Sequence, residues 1–422
     1  MGNQYSKVFE NLIKEVKQVW SKTCNQLLWP INTIDNTDSH KQAMMFIEKY
    51  PAFKSLIDLD KAVQSPMAQW QAQGLSIDVV QWSKVLSKTN QVKQQCEADM
   101  GVSGMTKSEV VTTLSQRLGI KVVPTFDWVK ENIPRYPILK VFKQYLNLIS
   151  QLSQNQLSDE EMEAGCLLGH WNSYSTYSGR FSCVKRNLLA FPKDYQACWR
   201  PKNPTNCLLG FDLSAIQLRI TGALSGDERL QASFVSGVDL HTIDGGLVCQ
   251  WLDVSAPDEP VLHKLGKRLM YALLYGGREK RITKLVKKIL GVTVDSGKIY
   301  EVHDNFRNRY PQLFKYLDSL EDSQGVTTPY GWIPVSVELA PTQRRNLTIQ
   351  MIEAILLKKL LLRMSDKDIV MPIHDAIVFE VNPDLVPEFK KEIVRIVDDC
   401  VQELVPDLVT NKLVKFTGGI TL

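Results

Sequence analysis

No run of apolar residues in this chain approaches the roughly 18 to 20 needed to cross a bilayer, and the opening MGNQYSKVFENLIKEV lacks the apolar stretch of a secretory signal. A soluble protein inside a cell is expected, with no membrane partner; an organelle is left open. Cysteine is present but unpaired in pattern: the eight residues at 24, 96, 166, 183, 198, 207, 249 and 400 stand singly, without a CxxC pair. Nothing in that spacing points to a zinc site or a disulfide framework, and free, buried thiols are expected. Excess charge of one sign is scarce as well, since the formal net charge is +4 over 422 residues. Internal repeats and low-complexity segments are absent.

What remains is the composition of an ordinary globular protein, 44% hydrophobic and 23% charged. A chain of this length divides into two or three packed units and can hold a cleft between them. The charge is unevenly spread: from His263 to Leu290 there are nine Lys or Arg residues and a single acid, Glu279. That density suits a phosphate-facing helix pair, although a solvated basic face has the same composition.

Residues 1 to 63 read as a polar, helical extension, broken around Trp20, Trp29 and Pro30 and looped at 35 to 39. PMAQWQAQGLSIDVVQWSKVLSKTNQVKQQC predicts two helices split by Gly74, and YPILKVFKQYLNLISQL a long amphipathic one. CLLGFDL at 207 to 213 predicts a strand that runs into the helix SAIQLRITGALSG. Helices return over 226 to 320, followed by a turn and strand in TPYGWIPVSVEL and a long helix in RRNLTIQMIEAILLKKLLLRM. DIVMPIHDAIVFEV predicts two buried strands meeting at His374-Asp375, with an amphipathic helix after Pro387.

Two acids stand where a charge is costly, Asp212 at the end of one apolar strand and Asp375 at the joint of two others. A divalent cation is an economical partner, and oxygen-only ligation suits Mg²⁺, with the carbonyl of Leu213 as a further ligand. Taken singly, a helix cap for Asp212 and ordinary turn chemistry for Asp375 explain them equally well. A third element weighs against that: His263, Lys267, Tyr271 and Tyr275 recur every four positions and form one stripe of cations and aromatics along a helix. Such a face can hold a triphosphate at its basic end and stack a base or sugar at its aromatic end. A helix whose tyrosines are core, with a snorkelling lysine, is the competing description.

FDLSAIQLRITGALSGDERL resembles the first catalytic motif of family-A DNA polymerases, the bacterial DNA polymerase I type, with Asp212 on its metal-binding aspartate. KxxxYxxxYG at Lys267, Tyr271, Tyr275 and Gly276 resembles the nucleotide-binding helix of the fingers. PIHDAIVFEV resembles the palm hairpin that carries the second metal aspartate, here Asp375 beside His374. YSGRFSCVKRNLLAFP is similar to the segment beside the primer-template minor groove, placing Arg180 and Asn187 on its contact residues. GVDLHTI puts His241 on a triphosphate-contacting histidine, and NLTIQMIEA puts Asn346 and Gln350 on template- and primer-side positions. The similarity runs from about residue 64 to the end of the chain, and three motifs in order make it specific.

This resemblance implies an α+β right-hand polymerase with an antiparallel-sheet palm, helical fingers and helical thumb. The expected boundaries are a thumb at 64–165, a palm at 166–225 and 345–422, and fingers at 226–344. It implies template-directed DNA synthesis with two Mg²⁺ ions, for which Mn²⁺ can substitute, on primer-template DNA and dNTPs. A processivity factor or a replisome helicase or primase is implied as a further partner. Asp212 and Asp375 are implied metal ligands, Lys267 a catalytic cation, and His241, His263, Gln217, Tyr271 and Tyr275 nucleotide contacts. Residues 1 to 63 are too few for the family's proofreading exonuclease and contain no DxE motif, so no exonuclease is expected. A single-subunit RNA polymerase and a catalytically silent accessory subunit are the alternatives.

The chain departs from the family at four points. Gln217 replaces the usual Glu against the sugar's 2′ position, keeping the bulk without the charge. Tyr271 is Phe in many relatives, and its hydroxyl implies acceptance of chain-terminating ddNTPs. His263 replaces an Arg, which implies weaker phosphate binding near neutral pH, with Lys264 or Arg268 as compensating cations. Ala376 replaces the Glu that usually follows the second aspartate.

Overall fold

A computed structural model describes residues 48–173, 176–334 and 339–418. The expected N-terminal extension therefore lies outside the described residues up to residue 47, as does residues 335–338 of the expected strand after Tyr330.

Helix α1 (Pro51–Ala62) opens on a proline, whose fixed φ suits a first helical turn. Helix α2 (Gln64–Gln73) ends at Gly74, where φ is 67° and a Cβ would come within 2.9 Å of the Leu167 carbonyl oxygen. That close approach lets β1 (Leu75–Ser76) pair antiparallel with β2 (Cys166–Leu167). Between them, α3 (Val79–Met100) is capped by Asp78, and α4 (Lys107–Leu118) by a reciprocal Thr106–Glu109 capping box. Together with α5 (Phe126–Asn132) and α6 (Leu139–Asn155) they enclose a core around Met100, Val110, Leu114, Val129 and Phe142. Gly74 does separate two helices, but through a short strand.

After α7 (Asp159–Ala164) come the short pair β3 (His170–Asn172) and β4 (Ser182–Val184), then α8 (Lys193–Gln196). Strand β5 (Cys207–Leu213) is central in a four-stranded sheet with β8 (Ile369–Ile373), β9 (Ala376–Val381) and β10 (Val414–Gly418). The order is β10-β5-β9-β8 and every pairing is antiparallel. Burial of both faces explains why these strands read as continuous apolar runs rather than alternating ones. Phe211 and Phe379 stack across the β5–β9 ladder with centroids 6.0 Å apart.

From β5 the chain enters α9 (Ile216–Ser225), then α10 (Glu228–Ser236), α11 (Leu240–Trp251), α12 (Glu259–Leu274), α13 (Glu279–Leu290), α14 (Ser296–Arg309) and α15 (Pro311–Asp322). Their buried side chains form a second core that takes in Leu218 of α9. A hairpin of β6 (Gly325–Thr328) and β7 (Gly331–Pro334) leads to α16 (Pro341–Arg363). Helix α16 is apolar on nearly all sides because it touches both cores, Ile349 in the helical one and Leu347, Ile352, Leu356 and Leu360 in the sheet's. The amphipathic α17 (Val386–Leu404) covers the sheet with Ile393, Val397, Cys400 and Val401. The sheet's core also collects Met67, Trp70, Trp82 and Leu157, so the segment before residue 165 is shared between two cores. All seven cysteines among the described residues are free thiols. No helix among them is long and apolar enough to cross a membrane.

Candidate active site

The β5–β9 register brings the two singled-out aspartates together. Asp212 lies opposite Ala376, one residue past Asp375, and the Leu213 N–H donates to the Asp375 carbonyl at 3.2 Å. Asp375 sits in the two-residue turn between β8 and β9, where His374 takes a positive φ of 55° that a non-glycine residue seldom adopts. Asp212 is not a helix cap: the residue that enters α9 is Ala215, in left-handed conformation and with no side-chain cap. The Asp212 Oδ1 atom is buried and has no hydrogen-bond partner among the described residues.

Burial raises the Asp212 carboxyl above its ordinary pKa, and the charge of Asp375 adds to the shift; Lys415, opposite on β10, and Lys267 offset part of it. Burial likewise raises Asp375, against the pull of its backbone hydrogen bond and of His374, Arg180 and Lys267. An orphaned buried oxygen beside a second crowded carboxylate is a donor set that a hard divalent cation satisfies. Among the described residues no group of three or more His, Cys, Asp or Glu is arranged to hold a metal. The pair therefore suits an ion such as Mg²⁺, which takes one or two carboxylates and leaves other positions to water and phosphate.

The stripe expected from the sequence lies on α12 and its C-terminal cap. Its buried side carries Leu265, Leu269, Met270 and Leu273, while Lys264, Lys267 and Arg268 are exposed. Helix α11 crosses α12 at backbone contact, for a Cβ on Gly245 would meet the Leu262 carbonyl oxygen at 2.1 Å, and one on Gly266 the His241 carbonyl oxygen at 1.9 Å. The crossing sets His241 against the stripe, its ring centroid 5.3 Å from that of His263 and 6.4 Å from that of Tyr271. Tyr271 and Tyr275 continue the row at 6.4 Å. The tyrosines are thus neither core nor free surface but half-buried.

Burial, helped by the neighbouring His263 charge, depresses His241 to about 4. It is an uncharged group near neutral pH, and Lys267 is one of the cations beside the aspartates, with Lys415 and Arg180. His263 Nδ1 donates to Asp239 at 2.8 Å. Burial alone would raise Asp239, but hydrogen bonds from Thr242 and His263 outweigh it and hold the carboxyl at about 2. Burial pushes Tyr275 up to about 12, with the nearby Arg180 and Gln350 side chains offsetting part of the shift.

Arg180 and Gln217 meet on one carboxylate, that of Glu353 in α16. Gln217 Nε2 donates to Glu353 Oε2 at 2.7 Å, and Arg180 forms an ion pair with the same oxygen. Gln350 lies one turn away on that helix. Asn346, a further turn back, keeps a buried Oδ1 without a partner among the described residues. Asn187 is exposed, and its Oδ1 accepts from the Leu189 N–H to cap a short 3-10 turn; His374 is exposed at the hairpin tip. Arg345 anchors the region, donating to the Leu273 carbonyl at 3.1 Å and pairing with Asp318 and Glu321.

Three residues of this site escape sequence reasoning. Glu353 could have been found as a lone acid in an otherwise apolar stretch. Asp239 reads as an ordinary helix cap, and Lys415 gives no signal at all.

The architecture is the mixed α+β palm, fingers and thumb fold of a Pol I type polymerase domain. It superposes on the POL domain of Pol1 from M. smegmatis, in complex with DNA primer-template and dNTP, with a TM-score of 0.72 at 16% identity over 90% of this chain and 72% of that one. The chain belongs to DNA polymerase family A, whose profile matches residues 60–331. DNA polymerase I of Helicobacter pylori strain J99 is 20% identical over 89% of this chain and 45% of its own length. The thermostable DNA polymerase I of Thermus filiformis is 25% identical over 64% of this chain and 35% of its own. The chain spans less than half the length of these curated relatives. The hairpin of Asp375 lies beyond the residues that the profile matches, so its role rests on its geometry.

Proposed function

We propose that this chain is a template-directed DNA polymerase, extending a primer 3′-OH with dNTPs and not trimming it. The observation that carries this reading is the convergence of Asp212, Asp375 and Lys267: the pairing of β5 with β9 joins the acids, and α12 brings a cation close enough to act on both. Thumb, palm and fingers are proposed to divide at 64–165, 166–225 with 345–422, and 226–344.

Family-A polymerases generally use Mg²⁺. Asp212 and Asp375, with the Leu213 carbonyl, would hold two such ions. When bound, the ions lower the pKa of the primer 3′-OH and balance charge on the α-phosphate and the departing pyrophosphate. Lys267 offsets triphosphate charge, while His263, fixed by Asp239, and neutral His241 contribute hydrogen bonds. Tyr271, Tyr275 and Gln217 form the wall against which base and sugar are checked. Arg180, Asn187, Asn346, Gln350 and His374 face the primer-template, and the exposed cations of α13 add salt-sensitive grip on phosphates.

The test is extension of a labelled primer on a DNA template with Mg²⁺ and either dNTPs or rNTPs, comparing the wild type with Asp212→Ala and Asp375→Ala. Extension with dNTPs that both substitutions abolish supports the proposal. Extension mainly with rNTPs would move the reading to an RNA polymerase. No extension would favour an accessory role, and a shortened primer would overturn the claim that the chain does not trim.

A further inference from the structure

Glu353 is an anomaly of composition before it is one of geometry. Its neighbours along α16, Met351, Ile352, Ala354, Ile355, Leu356 and Leu357, are all buried, and it is itself only 3% exposed. A carboxylate in such surroundings is costly unless paired and hydrogen-bonded. Its partners come from two other segments: Arg180 ahead of β4, and Gln217 in the first turn of α9. Both belong to the nucleotide and primer side of the proposed site. Each also keeps a buried atom without a partner among the described residues, Arg180 Nε and Gln217 Oε1.

The direction of the hydrogen bond matters. An ionised carboxylate only accepts, so the Gln217 NH₂ must face Glu353 and its carbonyl oxygen must face away. The same contact holds the side chain in place, with Arg180 held beside it by its ion pair with the same carboxylate. We infer that Glu353 is a positioning residue for sugar selection: it locks the Gln217 amide and the Arg180 guanidinium into the wall of the nucleotide site, so that the bulk of Gln217 is held fixed against a 2′-hydroxyl. The chain thereby supplies from α16 the carboxylate that the resembled family carries at position 217 itself. This inference rests on the polymerase reading above.

A purely structural ion pair would join the Arg180 segment to α16 and affect all nucleotides alike. The ratio of single-turnover efficiencies for dNTP and rNTP separates the two cases. In E353Q a neutral amide replaces the charge-assisted acceptor, and the ratio is expected to fall about tenfold, the order of one lost charge-assisted hydrogen bond. The exchange Q217E/E353Q puts the carboxylate on the other partner of the same hydrogen bond, still beside Arg180, and is expected to recover most of the ratio. Where E353Q melts below the assay temperature, Glu353→Asp, which shortens the reach to both partners, is expected to show the same fall. An unchanged ratio in a variant that still extends with dNTPs overturns the inference and leaves the polymerase reading standing. A wild type that extends with no nucleotide overturns the reading itself, and the inference with it.

Discussion

Gly245 and Gly246 are neighbours on α11, yet a methyl group has opposite consequences at the two positions. At Gly246 nothing lies within 4 Å of an added Cβ. Alanine there removes the entropic penalty of glycine in a helix and should stabilise by about 0.5–1 kcal/mol. At Gly245 the same Cβ would stand 2.1 Å from the Leu262 carbonyl oxygen and 2.7 Å from its carbon, and that obstacle is backbone of α12, which cannot rotate aside. The helices would have to separate along a contact that also buries Val248, Leu265 and Leu269. Overpacking of this kind costs typically 1–3 kcal/mol and occasionally more, and a backbone collision belongs at the upper end. After subtracting the helix-propensity gain, Gly245→Ala should lose about 2 kcal/mol, so the two alanine variants differ by about 3 kcal/mol. Denaturant unfolding followed through Trp251, whose ring packs on Phe306 in this core, reads the difference. His241 lies one turn before Gly245 on α11, so weaker dNTP binding is expected to accompany the loss. If Gly245→Ala proves as stable as Gly246→Ala, the helices do not cross at backbone contact and the placement of His241 fails with it.

Asp212→Asn should stabilise the protein at pH 8 while abolishing extension. A carboxyl with a raised folded pKa holds its proton better folded than unfolded, so it costs stability above that pKa and the cost disappears as pH falls below the unfolded value. The gain in midpoint is therefore expected at pH 8 and absent in acid, and a pH-independent midpoint shift would refute it. His241 has the opposite sign: the unfolded ring takes a proton near its ordinary value of about 6.5, the folded ring only at about 4. Stability therefore rises as pH rises through that window and is lost as pH falls, by at most about 1.4 kcal/mol per pH unit. His241→Asn should flatten this slope in denaturant melts; an equally steep variant would show that the ring is not held neutral. Among the described residues, Lys284, Lys287 and Lys288 are exposed on α13 and form no ion pair. Replacing all three with Ala should reduce the salt dependence of primer-template binding by about two or three in log–log slope. An unchanged slope in anisotropy titrations would make this a merely solvated face.

The parts of the fold that show in the sequence are those whose burial leaves a regular trace. Strands β5, β8 and β9 appear as apolar runs because helices cover the sheet, and α16 as a long apolar helix because it serves two cores. The pairs β1–β2 and β3–β4 leave no trace, since ladders of two or three residues form through tertiary contact rather than periodicity. Strand β10 is short and mixed in polarity, so Lys415 could not be placed opposite Asp212. Within the site, the stripe on α12 is legible because positions four apart share a helix face. The approach of His241 is not, because Gly245 and Gly266 are required by a neighbouring backbone that the sequence does not reveal. Glu353 is half legible: its burial demands a partner, but the partners come from segments far away in sequence.

Two of the departures from the resembled family acquire a common physical sense from this arrangement. Ala376 lies directly opposite Asp212 in the β5–β9 ladder, and residues opposite one another point to the same face. A glutamate at that position would set a third carboxylate beside Asp375, which is raised by burial, and Asp212, which is raised by burial and by the charge of Asp375, with Lys267 and Lys415 as modest compensation. Gln217 likewise keeps a charge away from the start of α9, and the nearby carboxylate is instead Glu353, paired with Arg180 at the same oxygen that accepts from the amide. The acids closest to Asp212 are thereby reduced to Asp375, while the negative charge beside the nucleotide wall is retained one layer deeper. On this argument Ala376→Glu should raise the Asp212 carboxyl further and lower stability above neutral pH. Such a variant, if instead more stable at pH 8 than at pH 6 relative to the wild type, would show that the two side chains do not share a face.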